Sequence, residues 1–257
     1  MTVLGALPNA PLACVLVALE YEEIPDFAKK VEQLKGRILS LLPRYRLASL
    51  QQIQAAGHSH HLPIHEFLGE DWRQLLRVSP HQAAFVVTAY ANAEEFLGQF
   101  EQLLGPVWET LEPLITRIGV RYIDFILPRP GEAPEDYVND SIRGIANLPM
   151  GQIETQSAHL TQYQFDDGAM SIRYATTDGQ PQLPAEIALG NLRPSDIMLN
   201  EQNGKCAILD FDRFQFVSER LSHQDVVQRV RHFQGQLSQI FKHITTDKAR
   251  QAWGREE

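Results

Sequence analysis

Ile118-Gly-Val-Arg-Tyr-Ile-Asp-Phe-Ile-Leu127, then Pro128-Arg-Pro-Gly131, then Pro134–Ile145, is the stretch that decides the fold. The first segment reads as an apolar strand and the second as a turn. The third reads as a short helix with Tyr137, Ile142 and Ile145 inward. The same order stands near the start of the chain. Ala13–Glu20 reads as a largely buried strand, and Pro25 and Asp26 fit a helix start. Phe27, Val31, Leu34, Ile38 and Leu41 then recur at three- and four-residue spacings, and Pro43 ends that helix. After each opening comes a run of strand-like segments, then one long amphipathic helix. The repeated order predicts two similar α+β units, 1–117 and 118–257, packed as a pseudo-duplicate.

Within the first unit, Leu47–Ala56 is ambiguous between strand and irregular chain. Trp72–Val78 and Ala83–Ala89 read as an antiparallel pair turned by Ser79-Pro80-His81-Gln82. Asn92 caps a helix carrying Phe96, Phe100, Leu103, Leu104, Val107, Leu111 and Ile115, with a kink expected at Gly105-Pro106. In the second unit, Thr155–Phe165 and Ala169–Thr176 flank the hairpin signal Asp166-Asp167-Gly168. Ile187–Leu189 reads as a short strand and Cys206–Val217 as a long one. Ser222 with Asp225 resembles a capping box before the stripe Val226, Val230, Phe233, Leu237, Ile240, Phe241 and Ile244. On that stripe, Phe233→Ala and Phe241→Ala are each expected to cost roughly 3–5 kcal/mol. Thr245–Gly254 reads as a short closing helix that packs Trp253 back on the body. Asp247 is expected near a helix N-terminus or beside Arg250. The whole suggests a curved sheet with a long helix against it, as in TBP-like and helix-grip folds, or else a ferredoxin-like pair.

Composition narrows the function. Over 257 residues, 44% are hydrophobic and 21% charged, the proportions of a globular protein. A net charge of -9 argues against phosphate backbones and anionic membranes as partners. Pro11–Leu19, the longest apolar stretch, is too short to span a bilayer, and Met1–Pro8 lacks a signal-peptide pattern. A cytoplasmic location is expected. Cys14 and Cys206 sit in apolar runs and read as buried free thiols.

Three constellations carry candidate chemistry. His58, His60, His61 and His65, with Glu66, Glu70 and Asp71, form the densest metal-capable group. Their spacing matches no standard zinc pattern, and the segment reads as a solvated loop. Asp210 and Asp212 alternate along a strand and share a face; a cross-strand ion pair, or placement on a solvated sheet face, is expected rather than catalysis. Asp124 interrupts the apolar strand 118–127. With Arg121 and Tyr122 it is expected to anchor a polar network between the units, because a buried charge needs a partner. No nucleophile elbow and no nucleotide-binding glycine motif is present in the sequence.

Leu7-Pro-Asn-Ala-Pro-Leu12, Gly119-Val-Arg-Tyr-Ile-Asp124 and Ile244-Thr-Thr-Asp-Lys-Ala-Arg-Gln-Ala-Trp-Gly254 together resemble a sporadically distributed family of uncharacterised bacterial proteins of about this length. The resemblance spans the chain and implies a fold. Patchy distribution implies carriage on mobile or defence-linked operons, most concretely as an accessory protein of a type III-E CRISPR cassette. The lack of a catalytic motif, the duplicated α+β scaffold and the acidic balance add the expectation of a non-enzymatic component that needs no cofactor or metal. It would bind another protein, encoded in the same operon. Arg121, Tyr122, Asp124, Asp247, Arg250 and Trp253 are its candidate structural or partner-binding residues. The alternatives are an enzyme with a site in the cleft between the units, or a nucleic-acid binder on a concave sheet.

Overall fold

The structure is a computed structural model that describes residues 9–53, 59–143, 156–187, 189–200 and 202–254. In chain order, the first elements are β1 (Leu12–Tyr21), α1 (Phe27–Ile38), β2 (Arg44–Ile53), β3 (Ser59–Leu68), β4 (Gln74–Val78), β5 (Gln82–Val87) and α2 (Ala93–Leu111). They are followed by β6 (Ile115–Ile126), β7 (Ser157–Phe165), β8 (Gly168–Asp178), α3 (Asp196–Leu199), β9 (Lys205–Phe216), α4 (His223–Ile244) and α5 (Asp247–Gly254). All nine strands join one sheet in the order β2-β3-β4-β5-β1-β6-β9-β8-β7. Every neighbouring pair is antiparallel. The α+β class and the antiparallel pairing are those the sequence pattern predicts, and the strands of both parts of the chain join in one continuous sheet.

Alternation along the strands sorts the residues between two faces. Val15, Val17 and Leu19 of β1, Ile118 and Val120 of β6, and Leu209 and Phe211 of β9 point to one side. There they meet Leu34 and Ile38 of α1, Phe100 and Leu104 of α2, and Val230 and Phe233 of α4 in a single core. The three core helices form because their apolar residues fall on one stripe, and α2 and α4 also have capped starts. Asn92 Oδ1 accepts from the Glu95 amide at 2.9 Å. Ser222 and Asp225 exchange side-chain and backbone hydrogen bonds in a capping box. Pro106 lies inside α2, which runs on to Leu111.

The opposite face is covered at its centre by the connection between β8 and β9. Leu183, Ile187, Leu189, Ile197 and Met198 from that connection pack on Ala13, Cys14, Ile123 and Phe125. Ile187 and Leu189, expected in a short strand, lie outside any strand and cover the sheet instead, and Ala188 lies outside the described residues.

Two other expectations change for identifiable reasons. The histidine-bearing segment is strand rather than loop from Ser59 onward, because β2 pairs with β3 along its whole length, Arg44↔Leu68 through Ile53↔Ser59. Leu47 is exposed on this edge strand, so alternation was weak there. His58 lies outside the described residues. The expected helix Pro134–Ile145 is two short 3-10 turns, Pro134–Tyr137 and Asp140–Ile142. Ile145 lies outside the described residues. The turns stop short because the chain is tied elsewhere: Asn139 N donates to Ile244 O at 2.8 Å and Thr246 N to Tyr137 O at 3.1 Å.

One buried cation fastens the far side of the sheet. Arg213 has no exposed surface. It donates to Gln236 Oε1 on α4 at 2.7 Å, to the carbonyls of Ala169 and Phe214, and to Asp167 in the β7–β8 turn. Its guanidinium also lies over the rings of Phe165 and Phe233, at 4.6 and 4.4 Å. The turn reaches this position only because Gly168 adopts φ +141°. A Cβ there would stand 2.2 Å from Phe214 O and 2.7 Å from Arg213 Nη1.

Gly168→Ala is therefore expected to cost roughly 2–4 kcal/mol in urea unfolding, through backbone strain and a displaced Arg213. A loss below about 0.5 kcal/mol would mean that the turn shifts freely. The two phenylalanines of α4 now separate. Phe233 is fully buried and keeps the roughly 3–5 kcal/mol expected of a core truncation. Phe241 is only partly buried, so Phe241→Ala should cost about 1–2 kcal/mol. Equal losses in the two variants would contradict this burial.

Candidate functional site

A cavity of about 400 Å³ opens between the helix face of the sheet and α4. It lies at the end of the central β1–β6 pair. Its walls are mainly apolar and come from Pro11, Leu12, Phe211, Leu237 and Phe241. Its polar groups are few: Asp124, Tyr122, Tyr90 and Gln234 in the wall, and Ser238, Lys242, Thr245 and Arg250 on α4 and the closing segment. A largely apolar pocket of this size with convergent polar groups is the usual form of a small-molecule site.

The local sequence explains why the cavity exists. The β1–β6 register shifts between Leu12 and Cys14, where a bulge inserts one residue. Strict alternation from Val15 would turn Leu12 away from the helices. The extra residue instead sends both Ala13 and Cys14 to the opposite cluster and leaves Leu12 in the cavity wall, opposite Asp124. The backbone then closes on itself, with Phe125 N donating to Pro11 O at 2.7 Å and Asn9 N to Trp253 O at 2.9 Å.

Asp124 is the unusual group. It is 4% exposed. Among the described residues no cation pairs with it and no donor serves its carboxyl. Burial and the negative charge of Asp210 push its pKa up to about 8. At neutral pH it is a carboxylic acid rather than a carboxylate. Beside it, Tyr90 and Tyr122 share a hydroxyl–hydroxyl contact of 3.3 Å, and their rings meet edge to face at 5.8 Å. Burial raises the pKa of both phenols, so they too stay protonated.

Arg121 does not reach Asp124. The two are three positions apart on one strand, so they project to opposite faces. Arg121 instead donates twice to Asp210, Nε and Nη2 each at 2.7 Å, and once to Glu186 at 2.8 Å. Arg117 donates to Glu20 at 3.0 Å and lies 3.6 Å from Asp212. Asp210 and Asp212 thus stand in cross-strand ion pairs, and the arginines of that face are occupied by carboxylates. Tyr122 shares the Asp124 face and the cavity. The expected network of Asp124 with Arg121 therefore does not form: Tyr122 and Tyr90 share the cavity wall with Asp124, and among the described residues no hydrogen bond joins either of them to its carboxyl.

The closing residues act around the same cavity. Trp253 is buried, 5.8 Å from the Phe241 ring and 5.6 Å from Tyr137 between ring centres. Asp247 begins α5 and accepts from Arg250 at 2.5 Å. Arg250 also donates to the carbonyls of Lys242 and Thr245. Among the described residues no group of three or more His, Cys, Asp or Glu is gathered closely enough to hold a metal. His65 instead faces inward, its Nδ1 2.9 Å from Tyr45 Oη, and burial lowers its pKa. Burial pushes the Cys14 thiol up to about 12.

Tyr90 and Gln234 were not singled out in the sequence. Tyr90 sits in an unpatterned turn and Gln234 on a helix rich in glutamine, and neither carries a local signal. No protein-family model matches the chain, and no curated protein matches it. Among the described residues no helix is long and apolar enough to cross a membrane.

The acid state of Asp124 has a measurable consequence. Its folded pKa of about 8 lies above the ordinary 3.8. Between those values the unfolded chain loses the proton and the fold keeps it, so stability falls as pH rises. Wild type should lose stability relative to Asp124→Asn from about pH 5 to about pH 8, and the gap should stay constant at higher pH. Urea unfolding of both proteins across that range checks this. Parallel curves would place Asp124 in water.

Proposed function

We propose that the protein is a non-catalytic binding protein whose recognition site is the Asp124 cavity. It holds a compact, mostly apolar molecule between two related α+β units. The observation that carries the reading is a buried carboxyl, without a partner among the described residues, that opens into a cavity of about 400 Å³. The carboxyl is reached from the cavity, so a polar group on a ligand can pair with it there while the apolar walls bury the rest of the molecule.

Topology supports the two-unit description. From β1 the chain goes out to β2 and returns strand by strand to β5, which lies beside β1 and precedes α2. From β6 it goes out to β7 and returns to β9, which lies beside β6 and precedes α4. The cavity draws walls from both sequences, Leu12, Tyr90 and Ala93 from one and Tyr122, Asp124, Phe211 and α4 from the other. The three segments that carry the family resemblance also meet here, through Pro11 and Leu12, Tyr122 and Asp124, and Thr245 and Arg250.

A second reading, a protein partner, is favoured by β7. It is an edge strand, exposed along most of its length, with Leu160 and Tyr163 uncovered. Such an edge accepts an added strand. If a protein encoded beside it is the partner, it should co-purify with wild type and not with the double variant Leu160→Lys, Tyr163→Lys.

The leading reading is tested by screening small aromatic and alicyclic fragments by ligand-observed NMR against wild type and Ser238→Trp, which fills the cavity from α4. Ala93→Trp fills it from α2 if the first variant does not fold. Fragments should bind wild type and lose binding in the filled variants. Fragments that bind a folded, filled variant unchanged, or a wild type that binds none, would contradict it.

A further inference from the structure

We propose that the cavity selects a molecule with an apolar body and an uncharged carbonyl oxygen, held by the Asp124 carboxylic acid and the Tyr90–Tyr122 hydroxyl pair, and that it rejects amines. This rests on the cavity being a binding site and goes on to name the class of ligand.

The argument is one of donors and charges facing one volume. On β6 are Asp124 and Tyr122, and on the turn before α2 is Tyr90. α4 contributes Lys242, which makes no ion pair among the described residues, and α5 contributes Arg250. β1 contributes no titratable group to the cavity, and β9 contributes Phe211. Asp210 of β9 lies across the sheet, bound to Arg121. Arg250 is paired with Asp247, so Lys242 is the full charge facing the cavity without an ion-pair partner among the described residues, and a cationic ligand would meet it.

Asp124 does not offset this. Its negative form is disfavoured by desolvation and by Asp210, so at neutral pH it presents an O–H. Tyr90 and Tyr122 can donate only one hydrogen to each other, and the Gln234 side chain also hydrogen-bonds both; with its amide nitrogen donating to the pair, one hydroxyl hydrogen is left for a ligand oxygen. A carbonyl oxygen accepts two hydrogen bonds, and the cavity offers an acid and a phenol to supply them. A neutral carboxylic acid beside a tyrosine is a known way of gripping an oxygen in an apolar site. The remaining wall, Pro11, Leu12, Phe211, Leu237 and Phe241, fits a ring or branched hydrocarbon.

The test uses two probes with the same apolar body, acetylnaphthalene and naphthylmethylamine, titrated into the full chain by fluorescence from about pH 6 to about pH 9.5. Acetylnaphthalene should bind at the lower pH and weaken at least tenfold at the higher one, as Asp124 loses its proton. Naphthylmethylamine should bind at least tenfold more weakly at the lower pH. Asp124→Asn keeps a donor that does not ionise, so acetylnaphthalene binding to it should be flat with pH. Ser238→Trp should abolish binding. Stronger binding of the amine, or acetylnaphthalene binding that is equally flat in wild type, would overturn the ligand class and leave the cavity as a binding site. Failure of both probes to bind wild type, or unchanged binding to folded Ser238→Trp, would overturn the cavity reading as well.

Discussion

The pairing of β1 with β6 is the constraint on which the rest of the structure depends. It joins the first and second parts of the chain in the middle of one sheet, with β5 on one side and β9 on the other. Both strands are covered on both faces, by the helices on one side and by the β8–β9 connection on the other. Strands in that position are mostly apolar, and the charged residues they do carry, Glu20, Arg117, Arg121 and Asp124, are placed by face. The bulge at Ala13 is the departure. It shifts the register so that Leu12 stands opposite Asp124 and leaves the end of the seam unfilled. Without that extra residue the cavity would lack the Leu12 side of its wall.

Two aspartates a few ångströms of sheet apart show how face decides chemistry. Asp210 lies on the side of Arg121 and takes a bidentate ion pair, which keeps a charge tolerable in a buried place. Asp124 lies on the other side, among tyrosines and aliphatic side chains, and keeps its proton. The same residue type is an anchor in one case and a neutral donor in the other. Arg213 repeats the lesson on the helix face, where full burial is matched by four acceptors and two aromatic rings.

Much of the fold was legible in the sequence because its signals are local. The capping residues Asn92 and Ser222, the Asp166-Asp167-Gly168 turn and the apolar stripe of α4 each announce an element over a few residues. β2 and β3 were obscured because β2 is an edge strand with Leu47 in solvent, so no clean alternation marks it. The 134–145 segment misled because its turns are set by distant contacts with Ile244 and Thr246. At the site, Asp124 stood out as a carboxyl in an apolar run, and Trp253 as an aromatic near a chain end. Its natural partner could not be read correctly from spacing alone, since Arg121 is near in sequence and on the wrong face. Tyr90 and Gln234 come together with Asp124 only through the sheet order and the seat of α4, which no local pattern encodes.

The central claim is that the seam ends in an uncharged, buried acid facing an open cavity. The most direct measurement is a carbon-13 NMR titration of the Asp124 carboxyl carbon in the ligand-free protein, assigned with Asp124→Asn. The account predicts a midpoint near the raised value of about 8. A midpoint at the ordinary aspartate value of about 4 would contradict it, because it would mean that the carboxyl is solvated or ion-paired at neutral pH.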